Sequence, residues 1–130
     1  MTIILNGKKI SQNIKNNLKD KLKNYEKKPG LAIILIGNRS DSEIYVRMKK
    51  KACELIGINN YDFYFDEDIN EQIILNKIDE LNNDNNIHGI LVQLPLPKHL
   101  NKDKILNSIK IEKDIDGFHE NNVGKLTLNK

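Results

Sequence analysis

The 130-residue chain has one cysteine, three prolines, no tryptophan, and only four tyrosines and three phenylalanines. A single thiol cannot form an internal disulfide, so the fold must rest on an apolar core, which a chain of this length can build within one domain. Cys53 lies in a helical stretch and reads as a packed, inert thiol rather than a nucleophile. No apolar run approaches the ~20 residues of a membrane span, and Ile3-Ile4-Leu5 before Asn6-Gly7 is too short for a secretory signal. A cytoplasmic protein without a membrane partner is expected. Charge of one sign is also scarce: 21 basic and 18 acidic residues interleave to a net charge of +3. Without a concentrated phosphate-binding face, nucleic acid is not an expected partner.

Two kinds of site are missing as well. None of the seven glycines falls in a G-x-G-x-x-G or phosphate-loop pattern, so no nucleotide site is visible in the chain. His88, His99 and His119 are scattered, with no Cys or His at zinc-ligand spacing, and read as structural or solvent-facing. Asp114, Asp116 and Gly117 would suit positions 3, 5 and 6 of a calcium loop. Position 12 would then be Val123 where a bidentate glutamate is needed, so no metal is expected.

Lysine, asparagine and isoleucine supply 58 of the 130 residues. We read this bias as AT-rich codon usage, which makes the lysine excess uninformative about ligands. The hydrophobic periodicity carries more. Ile10, Ile14, Leu18, Leu22 and Tyr25 recur at helical spacing, and the pattern ends at Pro29-Gly30. Leu31 to Ile36 is a short, β-branched apolar run, expected as a strand buried on both faces. Tyr61 to Phe65 reads as a less buried strand, Asn70 to Asn83 as a helix carried by Ile74, Ile78 and Leu81, and Gly89 to Val92 as a third, buried strand. Two prolines in Gln93-Leu94-Pro95-Leu96-Pro97 stop that strand. Lys102 to Ile109 is expected to be a short helix and the remainder loop. Helices alternating with strands make parallel pairing through crossovers the economical topology. Ligands of such a sheet gather beyond the carboxyl ends of its strands. The Gly37 to Lys49 stretch, Gln93 to Pro97 and the Asp114 to Gly117 loop are expected to converge there.

The stretch from Asp41 to Gly57 reads as one helix. Ser40 and Glu43 have capping-box spacing, and Gly57 suits the left-handed residue after the last turn. Ile44, Met48, Ala52 and Leu55 form an apolar stripe, with Arg47, Lys50, Lys51 and Glu54 expected on the opposite side in water. Tyr45 and Lys49, one turn apart, share one shoulder of the stripe. From spacing alone they read as an interfacial tyrosine beside a snorkelling lysine, ahead of a ring and an amine at the edge of whatever the helix covers. Gln93, ending a buried strand, reads on its own as a structural hydrogen bonder closing the loop ahead of a site residue.

Taken together, Tyr45-Val46-Arg47-Met48-Lys49, Gly89 to Pro97, and Lys113-Asp114-Ile115-Asp116-Gly117-Phe118 followed by Asn122 to Leu126 closely resemble the bifunctional methylenetetrahydrofolate dehydrogenase/methenyltetrahydrofolate cyclohydrolase family. Ile4 to Lys8 and Gly37 to Ser42 resemble it too. Three motifs in family order are more specific than any one, and they cover the family's N-terminal catalytic domain. The fold this resemblance implies is an α/β three-layer sandwich, a small mainly parallel sheet flanked by helices, as in amino-acid-dehydrogenase-like N-terminal domains. Residues 1–126 would be the catalytic domain and 127–130 the start of a linker, with a C-terminal Rossmann domain lying outside this chain.

The resemblance further implies a tetrahydrofolate cleft between the two domains. Lys49 would be central to cyclohydrolysis with Gln93 beside it, Tyr45 would stack on the p-aminobenzoate ring, and Asp116 would bind the pterin. Ser42, Val92, Leu94 and Pro95 would line the site. NADP or NAD would be bound mainly by the missing domain, so these residues alone should lack dehydrogenase activity. The full-length family protein is expected to be a homodimer. Two rivals remain open at this point. One is the substrate domain of another amino-acid-dehydrogenase-like enzyme, such as one resembling shikimate dehydrogenase; the other is a folate-binding domain without turnover.

Overall fold

The computed structural model describes residues 1–130. The elements, in order, are α1 (Gly7–Leu22), β1 (Gly30–Ile36), α2 (Ser40–Ile56), β2 (Asn59–Phe65), α3 (Glu71–Asn83), β3 (Gly89–Val92), α4 (Lys102–Asn107), a 3₁₀ turn (Ile111–Lys113) and α5 (Glu120–Thr127). The three strands form one parallel sheet in the order β2-β1-β3. Beyond β3, a single parallel bridge between Ile90 and Asp114 lays the chain after the 3₁₀ turn along that edge.

The central position of β1 explains its unbroken apolar run, because both of its faces are covered. Ala32, Ile34 and Ile36 point to one side, where they join Ile87, Ile90 and Val92, Ile74, Ile78 and Leu81 of α3, and Leu100, Ile105, Leu106 and Ile109 in a core of 13 buried residues. Ile33 and Leu35 point to the other, where the buried cluster is only four residues, completed by Leu91 and Val46 of α2. The fold is therefore fastened mainly on its α3 face. β2, with a neighbour on one side only, is half-buried at best, as its mixed composition suggests. The chain enters β1 in close contact with the loop before β3. A Cβ on Gly30 would meet the Asn86 carbonyl oxygen at 1.9 Å, while the Gly30 amide donates to His88 Nδ1 at 2.9 Å.

Several expectations need correction. α1 forms where its period places it, capped by Asn6, but none of its residues is buried; Ile10 and Ile14 stay 49% and 54% exposed. In α2 the Ser40–Glu43 capping box does not form. The N-cap is Arg39 and makes no side-chain cap. Instead Asp41 accepts from the Ser42 amide at 2.9 Å and from the Arg39 guanidinium through both oxygens. The inward face of α2 is also not its apolar stripe. Ser42, Val46 and Cys53 are buried and Lys49 is half-buried, at spacings that keep them on one side, while Ile44, Met48 and Leu55 face outward. Nor is Lys50 simply in water, since it pairs with Asp62 of β2 at 3.0 Å.

The last correction is α5, expected as loop. Its apolar periodicity is sparse, and it is anchored by polar groups instead: the His119 side chain caps the Asn121 amide, and Asp114 accepts from the His119 amide at 2.8 Å and from the Asn122 side chain at 2.9 Å. Each histidine has a structural role, His99 by bonding the Ile69 carbonyl oxygen.

Candidate functional site

The carboxyl edge of the sheet collects the candidate residues. β1 is followed by Gly37, whose φ of +84° turns the chain toward α2 and whose amide donates to the Phe65 carbonyl. That turn starts α2 above β1. Arg39 and Asp41 brace it, and the guanidinium beside Asp41 holds that carboxyl down to about 2. Two turns into the helix, Lys49 reaches over the end of β3.

Strand alternation brings Gln93 to meet it. Leu91 faces α2, so Gln93, two residues on, faces α2 as well. Lys49 Nζ donates to Gln93 Oε1 at 3.1 Å, and Gln93 Nε2 donates to the Leu94 carbonyl oxygen at 3.1 Å. The second bond decides the first: with the amide nitrogen committed to a carbonyl, only the oxygen is left to face the lysine. The Gln93 backbone N–H donates to the Ile34 carbonyl at 2.9 Å, so the pair hangs from the central strand. Both side chains are half-buried, and the amine keeps hydrogen-bonding capacity beyond the glutamine.

The other expected site residues are placed unevenly. Tyr45, one turn before Lys49, is 58% exposed with its ring free of hydrogen bonds. Ser42 is buried at the start of the inward face of α2. Val92 points the other way, into the α3-side core, and Leu94 packs against that core as well. Pro95 borders an open cleft of about 610 Å³ with Gly37, Asn38, Arg39 and Glu67. Asp116 is exposed and makes no side-chain hydrogen bond. The Ile90–Asp114 bridge ties the chain just before its turn to the outer edge of β3. Thus Lys49 and Gln93 meet directly, Ser42 and Tyr45 share their helix, Asp116 stands at the neighbouring edge, and Val92 turns away.

Some residues that shape the site escaped sequence reasoning. Asp62, in the middle of an aromatic strand, gave no sign of pairing with α2. Burial and the nearby Asp62 charge push the Cys53 thiol up, in keeping with an inert packed residue. Lys113 donates to the Leu81 and Asp84 carbonyl oxygens at 2.9 Å each, and burial lowers its pKa. Its position directly before Asp114 was the one available hint that this loop is fastened to the core.

The fold and edge define an α/β domain whose parallel sheet presents a lysine–glutamine pair at its carboxyl end. Residues 5–116 match the family described as tetrahydrofolate dehydrogenase/cyclohydrolase, catalytic domain, and the chain belongs to that family. It is 46% identical over 130 residues to the bifunctional protein FolD of Aquifex aeolicus, covering 97% of this chain and 45% of that protein. FolD 2 of Arabidopsis thaliana is 43% identical over 129 residues, covering 96% and 43%. Among solved structures, the methylenetetrahydrofolate dehydrogenase/cyclohydrolase of Campylobacter jejuni superposes with a TM-score of 0.90 at 48% identity, over 94% of this chain and 44% of that one. The Trypanosoma brucei enzyme, solved with NADP cofactor and inhibitor, gives 0.90 at 33% identity, over 96% and 44%. The chain thus spans less than half the length of these relatives.

Proposed function

We propose that this chain is the folate-binding catalytic domain of a bifunctional enzyme that oxidises 5,10-methylenetetrahydrofolate and hydrolyses 5,10-methenyltetrahydrofolate to 10-formyltetrahydrofolate. The observation that carries the reading is the 3.1 Å contact between Lys49 and Gln93 at the carboxyl edge. Hydrolysis begins when water attacks the amidinium-like carbon between two folate nitrogens and must lose a proton as it does. An amine at the site can accept that proton. Gln93, a neutral acceptor fixed by the Leu94 carbonyl, aims the amine without adding a carboxylate's full charge. Tyr45 offers its exposed ring to the p-aminobenzoate, and Asp116, free of protein partners, offers a carboxylate to the pterin amide and amino groups. Pro95 borders the open cleft, and we assign Ser42 and Leu94 to the lining of the folate site, with Val92 contributing through its backbone only.

Dehydrogenation draws on a nicotinamide cofactor, NADP or NAD, as hydride acceptor. The residues here do not fit such a group, because no dinucleotide fingerprint follows any of the three strands. We assign that role to a Rossmann domain beyond residues 127–130, with residues 1–126 as the catalytic domain. Dehydrogenase turnover should be absent from these 130 residues alone. The whole protein would be a cytoplasmic homodimer serving one-carbon metabolism and purine biosynthesis. No helix is long and apolar enough to cross a membrane.

The test is Lys49→Gln in the active protein, followed by loss of the methenyl chromophore. Turnover within about threefold of wild type, only ~0.7 kcal/mol of barrier, would remove the lysine from the mechanism.

A further inference from the structure

α2 carries Tyr45 and Lys49, yet the apolar layer beneath it is thin. Only Val46 joins Ile33, Leu35 and Leu91 in a buried cluster, against 13 buried residues on the opposite face. Its larger apolar side chains Ile44, Met48 and Leu55 are more than half exposed, and α1, which packs beside α2, has no buried residue with which to hold it. A helix seated on so little apolar contact can roll or slide, and its orientation falls to polar ties at its edges.

There are two such ties, and they come from consecutive residues. Lys49 reaches to Gln93 at the end of β3 at 3.1 Å, and Lys50 reaches to Asp62 on β2 at 3.0 Å. Because β1 lies between β2 and β3, the two lysines, about 100° apart around the helix, span the sheet in opposite directions. Asp62 is well placed as the second anchor. It pairs in register with Ile33, whose side chain faces α2, so the carboxylate faces α2 too and is only 10% exposed. Asn60, two residues earlier on the same face, donates its amide to Asp62 and fixes the carboxylate from the strand side. The Asp62 charge also reaches Cys53, one turn along α2 from Lys50, which places it beneath the helix and not at its outer rim.

We propose that Asp62 is a positioning residue for Lys49: by holding Lys50 it fixes the roll of α2 and so keeps the neighbouring amine against Gln93. The inference rests on the reading of Lys49 as the group that serves hydrolysis. Misplacing a catalytic group by a fraction of an ångström to an ångström costs about ten- to a hundredfold in rate.

The test measures kcat and KM for methenyltetrahydrofolate hydrolysis in the active protein, at a temperature where every variant is folded by circular dichroism. Asp62→Asn keeps the shape and removes the charge. It is expected to lower kcat about tenfold with KM within twofold, while Lys50→Arg, which keeps the pair, stays within twofold of wild type. The decisive comparison repeats Asp62→Asn in a Lys49→Gln background. There the residual turnover should change less than twofold, because the residue being positioned is gone. An equal loss of kcat in both backgrounds would make Asp62 merely structural and overturn the proposal. So would unchanged kcat in Asp62→Asn alongside a large loss in Lys49→Gln. A harmless Lys49→Gln would instead overturn the underlying reading of the lysine, and the positioning role with it.

Discussion

Replacing Gln93 by glutamate isolates the part of the site that depends on charge and not on shape. Two contacts change. Nε2, which donates to the Leu94 carbonyl at 3.1 Å, becomes an oxygen facing an oxygen, and Oε1, 3.1 Å from Lys49 Nζ, gains a full negative charge. At that separation and an effective dielectric near 20, Coulomb attraction amounts to about 5 kcal/mol. Both groups are half-exposed, so screening and the cost of ordering the side chains leave about 1–2 kcal/mol. That energy favours the ammonium, which has no lone pair to take a proton from water. Cyclohydrolase kcat at neutral pH should therefore fall about ten- to thirtyfold. Loss of methenyl absorbance, recorded at neutral pH in the active protein, should show that deficit, with the melting temperature little changed. A Gln93→Glu protein with wild-type turnover would refute the claim that a neutral partner matters here.

Three further outcomes follow from the packing and the charges. Ile34→Ala, at a fully buried position of the central strand, should cost about 2–5 kcal/mol in urea titrations of this chain, a large share of the ~5–15 kcal/mol available to a domain. Glu71 ties α3 to the start of α4: it accepts from the Asn101 amide at 2.7 Å and from Lys104 at 3.0 Å, and these partners hold its carboxyl below the ordinary 4.5. A depressed carboxylate stabilises the fold above its unfolded pKa and loses that contribution as pH falls through the folded value. Glu71→Gln should thus be less stable than wild type at pH 6, with the gap narrowing as pH falls below 4.5; a pH-independent gap would contradict the assignment. Asp116→Ala, at an exposed position without hydrogen bonds, should leave the melting temperature within a degree or two while weakening folate binding by calorimetry, and unchanged affinity would refute the pterin role.

The strands were legible because burial on two faces and on one leave different marks. Leu31 to Ile36 and Gly89 to Val92 are continuous apolar runs and are the buried strands, while the mixed Tyr61 to Phe65 run is the edge. The pairing of Lys49 with Gln93 was legible only through the order of the motifs, since 44 residues separate them and no local pattern joins a helix to a loop. α5 was not legible, because it is built on Asp114 and His119 and not on an apolar period. Nor was the inward face of α2. Hydrophobic spacing shows that a helix has an apolar side, but not which element is near enough to cover it.

That last failure says something about how the site is made. A helix seated for stability alone would turn Ile44, Met48 and Leu55 onto the sheet, gaining roughly 1.5–3 kcal/mol for each side chain fully buried. α2 turns Ser42, Val46, Lys49 and Cys53 inward instead, and leaves the three larger residues 52–63% exposed. The orientation places an amine over the end of β3 and a second amine over β2, each matched by one polar partner on the strand below. Local rules of sequence and structure are most often broken where a protein does chemistry. Here the break falls on the helix that carries Tyr45 and Lys49, and the thin layer it leaves beneath them is what makes the Asp62 anchor necessary.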